Sequence, residues 1–198
     1  MMKLIAVTND RMSIDELIQT LLAIEPYIDA VILREKSKTD TEILKLIQKL
    51  KEVNFNVKKM IVHGKPTIAN TEQIDKVQLP GGLPLPDLMR QYPALLFGKS
   101  VHSLEEAIVA EADGAESVLY GHLFKTNSKP GLQPRGTDDL RRIVSSLTIP
   151  VYAIGGIRPS HIERLREVGI AGVAIMSTIF ESEHPKNIAK EYYDAIHT

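Results

Sequence analysis

The stretch Leu119-Tyr-Gly-His-Leu-Phe-Lys-Thr-Asn-Ser-Lys-Pro-Gly131 decides how the rest of this chain is read. Residues 117–120 are a short apolar run, the mark of a strand covered on both faces. The run passes through Gly121 into His122 and then into a polar loop holding Thr126, Asn127, Ser128 and Lys129. A helical pattern opens at Gly136-Thr-Asp-Asp and runs to residue 147. Strand, polar loop and helix make one βα unit, and the question is how often the unit recurs.

It recurs from end to end. Apolar, β-branched runs at 4–8, 30–35, 59–63, 76–79, 95–100, 117–120, 150–154 and 172–176 read as strands. Amphipathic patterns follow them at 13–24, 40–53, 67–73, 86–92, 103–112 and 136–147. Two more helices complete the series, one opened by Pro159-Ser160 and closed by Gly169, the other at 186–196. Ser103-Leu-Glu-Glu106 has the spacing of a capping box. Two architectures fit strict βα alternation, an open doubly wound sheet and a closed (β/α)8 TIM barrel. A count of eight strands favours the barrel, as one compact domain over residues 1–198.

Composition narrows the function. Hydrophobic residues make up 43% and charged residues 25%, a globular balance. A net charge of −1 gives no sequence-independent attraction to nucleic acid or anionic membrane. The absence of cysteine rules out disulfides, thiolate metal sites and thiol nucleophiles. The apolar run at the N-terminus stops at Asn9-Asp10, too short for a signal peptide or a membrane span, so a cytoplasmic location is expected.

In a (β/α)8 barrel, functional groups come from the C-terminal ends of the strands, and phosphate often binds after the seventh and eighth. The seventh strand here runs into Gly155-Gly156, and the eighth into Met176-Ser177. Glycines allow backbone N–H groups close to an anion. The sixth strand adds the hydroxyls of Thr126 and Ser128, the Asn127 amide and the Lys129 ammonium. Three neighbouring strand ends thus read as a phosphate site, although a Gly-Gly pair can also merely turn the chain. Arg34 and Lys36, at the end of the second strand, share a face by the two-residue period and are expected to point at an anionic substrate. A solvated charge cluster is the alternative. His122 stands beside the phosphate loop, and an imidazole changes charge near neutral pH, which makes it the candidate proton carrier. A hydrogen-bonded structural histidine is its alternative. His63 and His102 could line the mouth, while His161, His184 and His197 read as surface residues.

Leu33-Arg-Glu-Lys36, Ser100-Val-His-Ser-Leu-Glu-Glu-Ala107, the Thr126 to Lys129 loop, Ala153-Ile-Gly-Gly-Ile157 and Met176-Ser177 resemble the thiamine phosphate synthase superfamily across nearly the whole chain. That superfamily consists of (β/α)8 barrels that join a thiazole phosphate to a pyrimidine pyrophosphate with magnesium. Thr126, Asn127, Ser128 and Lys129 fall on its Thr-x-Thr-Lys loop, and Gly156, Met176 and Ser177 on its phosphate positions. The pyrimidine half departs from the pattern. His63-Gly64 stand where the superfamily has Asn-Asp, and Gln78-Leu-Pro-Gly-Gly-Leu83 replaces its His-x-Gly-x-x-Asp. Gly121-His122 replaces Gly-Pro. Magnesium needs hard oxygen ligands, and both family carboxylates are gone.

These departures resemble the TenI branch, the thiazole tautomerases, as found in Bacillus-type organisms. The resemblance implies an isomerase of thiamine biosynthesis that converts a carboxythiazole phosphate tautomer to the aromatic form. It implies His122 as proton shuttle, no metal and no organic cofactor. The expected partner is the small-molecule thiazole phosphate, with no nucleic acid and no membrane, and related barrels leave room for a homodimer. Two alternatives stand: a magnesium-dependent thiamine phosphate synthase, which is a transferase, and a non-enzymatic transcriptional regulator that senses a thiamine precursor.

Overall fold

The computed structural model describes residues 1–198 and contains eight parallel strands and nine α-helices. The order is β1 (Lys3–Val7), α1 (Ile14–Ile24), β2 (Ala30–Leu33), α2 (Asp40–Glu52), β3 (Met60–His63), α3 (Pro66–Glu72), β4 (Lys76–Leu79) and α4 (Leu85–Gln91). It continues with β5 (Leu96–Val101), α5 (Leu104–Ala112), β6 (Ser117–Gly121), α6 (Gly136–Ser146), β7 (Val151–Ile154), α7 (Ile162–Val168), β8 (Gly172–Ile175), α8 (Ser177–Phe180) and α9 (Pro185–His197). Each strand pairs with its successor, and β8 closes on β1, with Ile5 opposite both Ala30 and Ala174. The chain is therefore a (β/α)8 TIM barrel. No helix is long and apolar enough to cross a membrane.

Alternation along each strand divides the apolar residues between two cores. On β6, Val118 and Tyr120 face the helix layer and are fully buried, while Leu119 points into the barrel. The outer core joins strands to helices through residues such as Leu21, Leu46, Leu50 and Leu165, each fully buried. Burial of one such side chain contributes about 2–3 kcal/mol. Inside the barrel Ile5, Val7, Ile32, Leu119 and Ala174 form a plug, with Ile154 and Met176 packed on it. The plug fills the lower interior, and the cavity within the barrel opens above it, at the C-terminal ends of the strands.

Local chemistry explains the boundaries. Capping boxes open α1 at Ser13 with Glu16 and α2 at Thr39 with Glu42. At α5 the expected box is only half formed: Ser103 Oγ accepts the Glu106 N–H, but the Glu106 carboxylate accepts the His102 N–H at 2.7 Å instead. Gly169 closes α7 at φ +87°, as its position predicts. The second strand ends at Leu33 rather than residue 35, because the Arg34 N–H donates to the Thr8 hydroxyl and Glu35 turns inward. The eighth strand ends at Ile175, and the short helix α8 follows it, absent from the sequence reading.

Candidate active site

A cavity of about 670 Å3 opens above the plug. Its wall is assembled from the C-terminal ends of β1 to β8 and includes Arg34, His63, Gln78, Ser100, His122 and Ser177. Of the residues expected to act, Arg34, His122, Thr126, Asn127, Ser128, Lys129, Gly155, Gly156, Met176 and Ser177 all line this one space. Lys36 does not. The strand ends before it, so the two-residue period no longer sets its direction, and its side chain is exposed at the rim. It remains close enough to Arg34, and then to Lys129, for their charges to hold its ammonium below the ordinary lysine range.

His122 is 5% exposed. The Gly121–His122 peptide is cis. Main-chain bonds fix the flanking residues: the Leu123 N–H donates to Ile154 O and the Phe124 N–H to Gly155 O, both at 2.9 Å. Arg135 closes the loop from the far side. Its N–H reaches His122 O at 3.2 Å, its Nε donates to Gly121 O at 3.1 Å and its Nη1 to His102 O at 2.6 Å. The imidazole Nε2 lies 3.4 Å from Leu132 O, within the same loop. His122 thus sits at the base of a loop whose two ends are tied together, with its ring on the cavity.

The phosphate-type cluster is drawn from three strands. The Ser128 and Ser177 hydroxyls are 3.1 Å apart and join the β6 loop to the start of α8. The Ser128 N–H donates to Thr126 Oγ1, and the Lys129 N–H to Thr126 O, so the loop folds into a tight turn. Gly155 and Gly156 have φ of +105° and +64°. A Cβ on Gly155 would collide with His122, and one on Gly156 with the Phe124 and Lys125 carbonyls. The glycine pair is therefore required by close packing of the β6 and β7 loops, whatever the ligand. The buried Tyr192 hydroxyl donates to Ile157 O at 2.7 Å and ties that segment to α9.

Several residues of the site were missed or read differently in the sequence. Gln78, 6% exposed, donates through Nε2 to Ser100 Oγ at 3.1 Å. Parity on β4 and β5 was the available signal for both. Lys125 and Arg158 also line the cavity, and Arg135 braces it, with no motif to mark them. His63 lines the mouth, and burial together with the charges of Arg34 and Lys36 pushes its pKa down to about 4. His102 lines it too, with Nδ1 3.4 Å from Glu106. His161, expected at the surface, is half-buried: its ring packs on Phe124 at 4.2 Å and its Nδ1 accepts the Arg158 N–H. His184 and His197 are exposed.

The charge balance of the site is one-sided. Arg34, Lys125, Lys129 and Arg158 line the cavity, whereas its one carboxylate, Glu181, pairs with Arg11 at 3.2 Å. Asp10 and Glu35, nearby on the β1 and β2 loops, are engaged by Ser37, Lys38 and main-chain N–H groups. No group of three or more histidine, aspartate or glutamate side chains is arranged to hold a metal. Magnesium usually takes one or two carboxylates beside substrate phosphates, and the one carboxylate on this wall is already paired with Arg11, so the residues present fit that ion poorly. They do fit an organic ligand with more than one anionic group.

Comparison with known proteins gives the family and the fold. The family model described as thiamine monophosphate synthase matches residues 4–179. The thiamine-phosphate synthase of Pyrococcus furiosus is 30% identical over 192 residues, covering 96% of this chain and 92% of the relative. That of Clostridium tetani is 30% identical over 164 residues, 80% of this chain and 78% of the relative. Among solved structures, thiamine phosphate pyrophosphorylase from Pyrococcus furiosus superposes with a TM-score of 0.83 at 28% identity, over 99% of this chain and 96% of that one. A 3-hexulose-6-phosphate synthase superposes at 0.78 with 20% identity, covering 98% of this chain and 100% of that one, a likeness of fold alone.

Proposed function

Because the chain belongs to the thiamine monophosphate synthase family of thiamine biosynthesis, we propose that it acts there as an isomerase, converting a carboxythiazole phosphate tautomer to its aromatic form. One observation carries this reading. A buried imidazole, His122, faces a polycationic cavity in which no carboxylate is free to carry magnesium.

The chemistry follows from the placement of groups. The substrate phosphate binds Thr126, Asn127, Ser128, Lys129, Ser177 and the main chain at Gly155, Gly156 and Met176, all on the cavity wall. Arg34 takes the second anionic group, with Lys36 adding charge from the rim. Leu132 O, an acceptor 3.4 Å from His122 Nε2, favours the tautomer protonated there, which leaves Nδ1 as the basic nitrogen of a ring that lines the cavity. This nitrogen removes the proton from the ring carbon between sulfur and nitrogen, leaving an anion delocalised over the future aromatic ring. The imidazolium then delivers a proton to the exocyclic carbon. One C–H bond breaks, one forms, and the double bond moves into the ring. Such general acid–base help gives roughly 10²–10⁴-fold, which suffices because aromatisation supplies the driving force.

The names of the relatives favour a second reading, a thiamine-phosphate synthase. One assay separates the two. The protein is incubated with the unstable tautomer alone, and separately with thiazole phosphate, pyrimidine pyrophosphate and magnesium. Accelerated aromatisation without pyrophosphate release supports the isomerase. Magnesium-dependent pyrophosphate release without aromatisation overturns it.

A further inference from the structure

The wall built from β2 to β5, away from the phosphate cluster, carries four polar side chains on an apolar floor: Arg34, His63, Gln78 and Ser100. Their partners within the protein are few. The carboxylates of Asp10 and Glu35 are occupied by Ser37, Lys38 and main-chain N–H groups, which leaves the Arg34 guanidinium without an ion pair. Neither ring nitrogen of His63 has a hydrogen-bond partner in the protein, although the half-buried ring lines the cavity. With its pKa near 4, the ring is neutral at pH 7 and offers one N–H donor. A Cβ at Gly98 would press on the Gln78 amide, so glycine there makes room for it. The amide in turn donates to Ser100 Oγ, which leaves the Ser100 hydroxyl proton for the cavity. The wall thus presents one guanidinium fork and two neutral donors, and no carboxylate of its own.

We infer that this wall is a carboxylate-recognition subsite in which His63 is a specificity-determining donor beside Arg34, selecting heterocycles that carry a carboxylate as well as a phosphate. A carboxylate is a planar acceptor that a guanidinium binds through two parallel hydrogen bonds. Its remaining lone pairs suit the His63 and Ser100 donors. A ligand lacking the carboxylate would desolvate these donors without giving them a partner, a loss that discriminates strongly. The inference rests on the isomerase reading only for the identity of the ring.

The test is calorimetric titration of the intact protein with two probes, aromatic carboxythiazole phosphate and the same thiazole phosphate without its carboxylate. Wild type is expected to bind the first about 10–100-fold more tightly. His63→Ala should lower that preference about tenfold and leave the affinity for the decarboxylated probe unchanged. His63→Gln, which keeps an uncharged donor, should retain most of it. Equal affinities in wild type, equal losses for both probes, or an undiminished preference in His63→Ala would each overturn the subsite. The wild-type measurement stands even if a variant fails to fold. Preference without turnover removes the isomerase reading and supports the subsite; turnover without preference does the reverse.

Discussion

Replacing Gly155 by alanine should damage stability and chemistry together. At φ +105° a side chain is strained, and the new Cβ would lie 2.6 Å from His122 Cα and 3.0 Å from Leu123 N. Those atoms are main chain, tied to β7 through the bond from the Leu123 N–H to Ile154 O, so neither loop can yield without breaking the β6–β7 register. The backbone conformation costs about 1–3 kcal/mol. The overlap costs about 1–3 kcal/mol more. With an m-value of about 2–3 kcal/mol/M, the urea midpoint should fall by roughly 0.7–3 M. The variant that still folds must displace His122, and a misplacement of about 1 Å can cost on the order of 100-fold in rate. Gly82→Ala is the control, since nothing lies within 4 Å of its added carbon. Urea melts followed by circular dichroism, with tautomer turnover on the folded fraction, measure both effects. Should Gly155→Ala match Gly82→Ala in midpoint and rate, the packing argument is wrong.

Other consequences can be read from single substitutions. His63 has a folded pKa of about 4 against an ordinary 6.5, so between those values the unfolded chain binds more protons. Stability should therefore fall as pH drops from about 6.5 to about 4, by up to roughly 3 kcal/mol. Urea midpoints of wild type minus His63→Gln across that window should show the slope, and a flat difference would refute it. The Tyr120 hydroxyl is buried without a partner. Tyr120→Phe should therefore raise stability by about 1 kcal/mol, read as a higher thermal midpoint, and a lower midpoint would point to an unseen partner. Lys129→Ala should weaken binding of inorganic phosphate about tenfold at low salt and less at high salt, measured by titration calorimetry. Unchanged binding would remove Lys129 from the anion site.

The barrel was legible because its signals are local and repeated. Apolar runs such as 172–176 and the Ser13 and Thr39 caps name their elements within a few residues. The strand ends were less so. Arg34 and Lys36 looked alike in sequence, but the hydroxyl of Thr8, some 26 positions earlier, takes the Arg34 N–H and ends the strand between them. Helix α8 has only four residues, too short for a periodic pattern. In the site, Thr126 to Lys129 announced themselves by composition. Gln78 and Ser100 did not, since their hydrogen bond joins residues 22 apart whose inward direction follows from strand register. Arg135 was invisible for the same reason: its partners, Gly121 O and His102 O, are main-chain atoms supplied by the fold.

The most direct measurement is the rate at which the unstable tautomer becomes aromatic, without added metal, for wild type and His122→Asn, alongside the affinity of each for inorganic phosphate. Proton transfer by a ligand-facing imidazole predicts a loss of about 10²–10⁴-fold in rate with phosphate affinity unchanged. A His122→Asn protein that aromatises the tautomer as fast as wild type would contradict it.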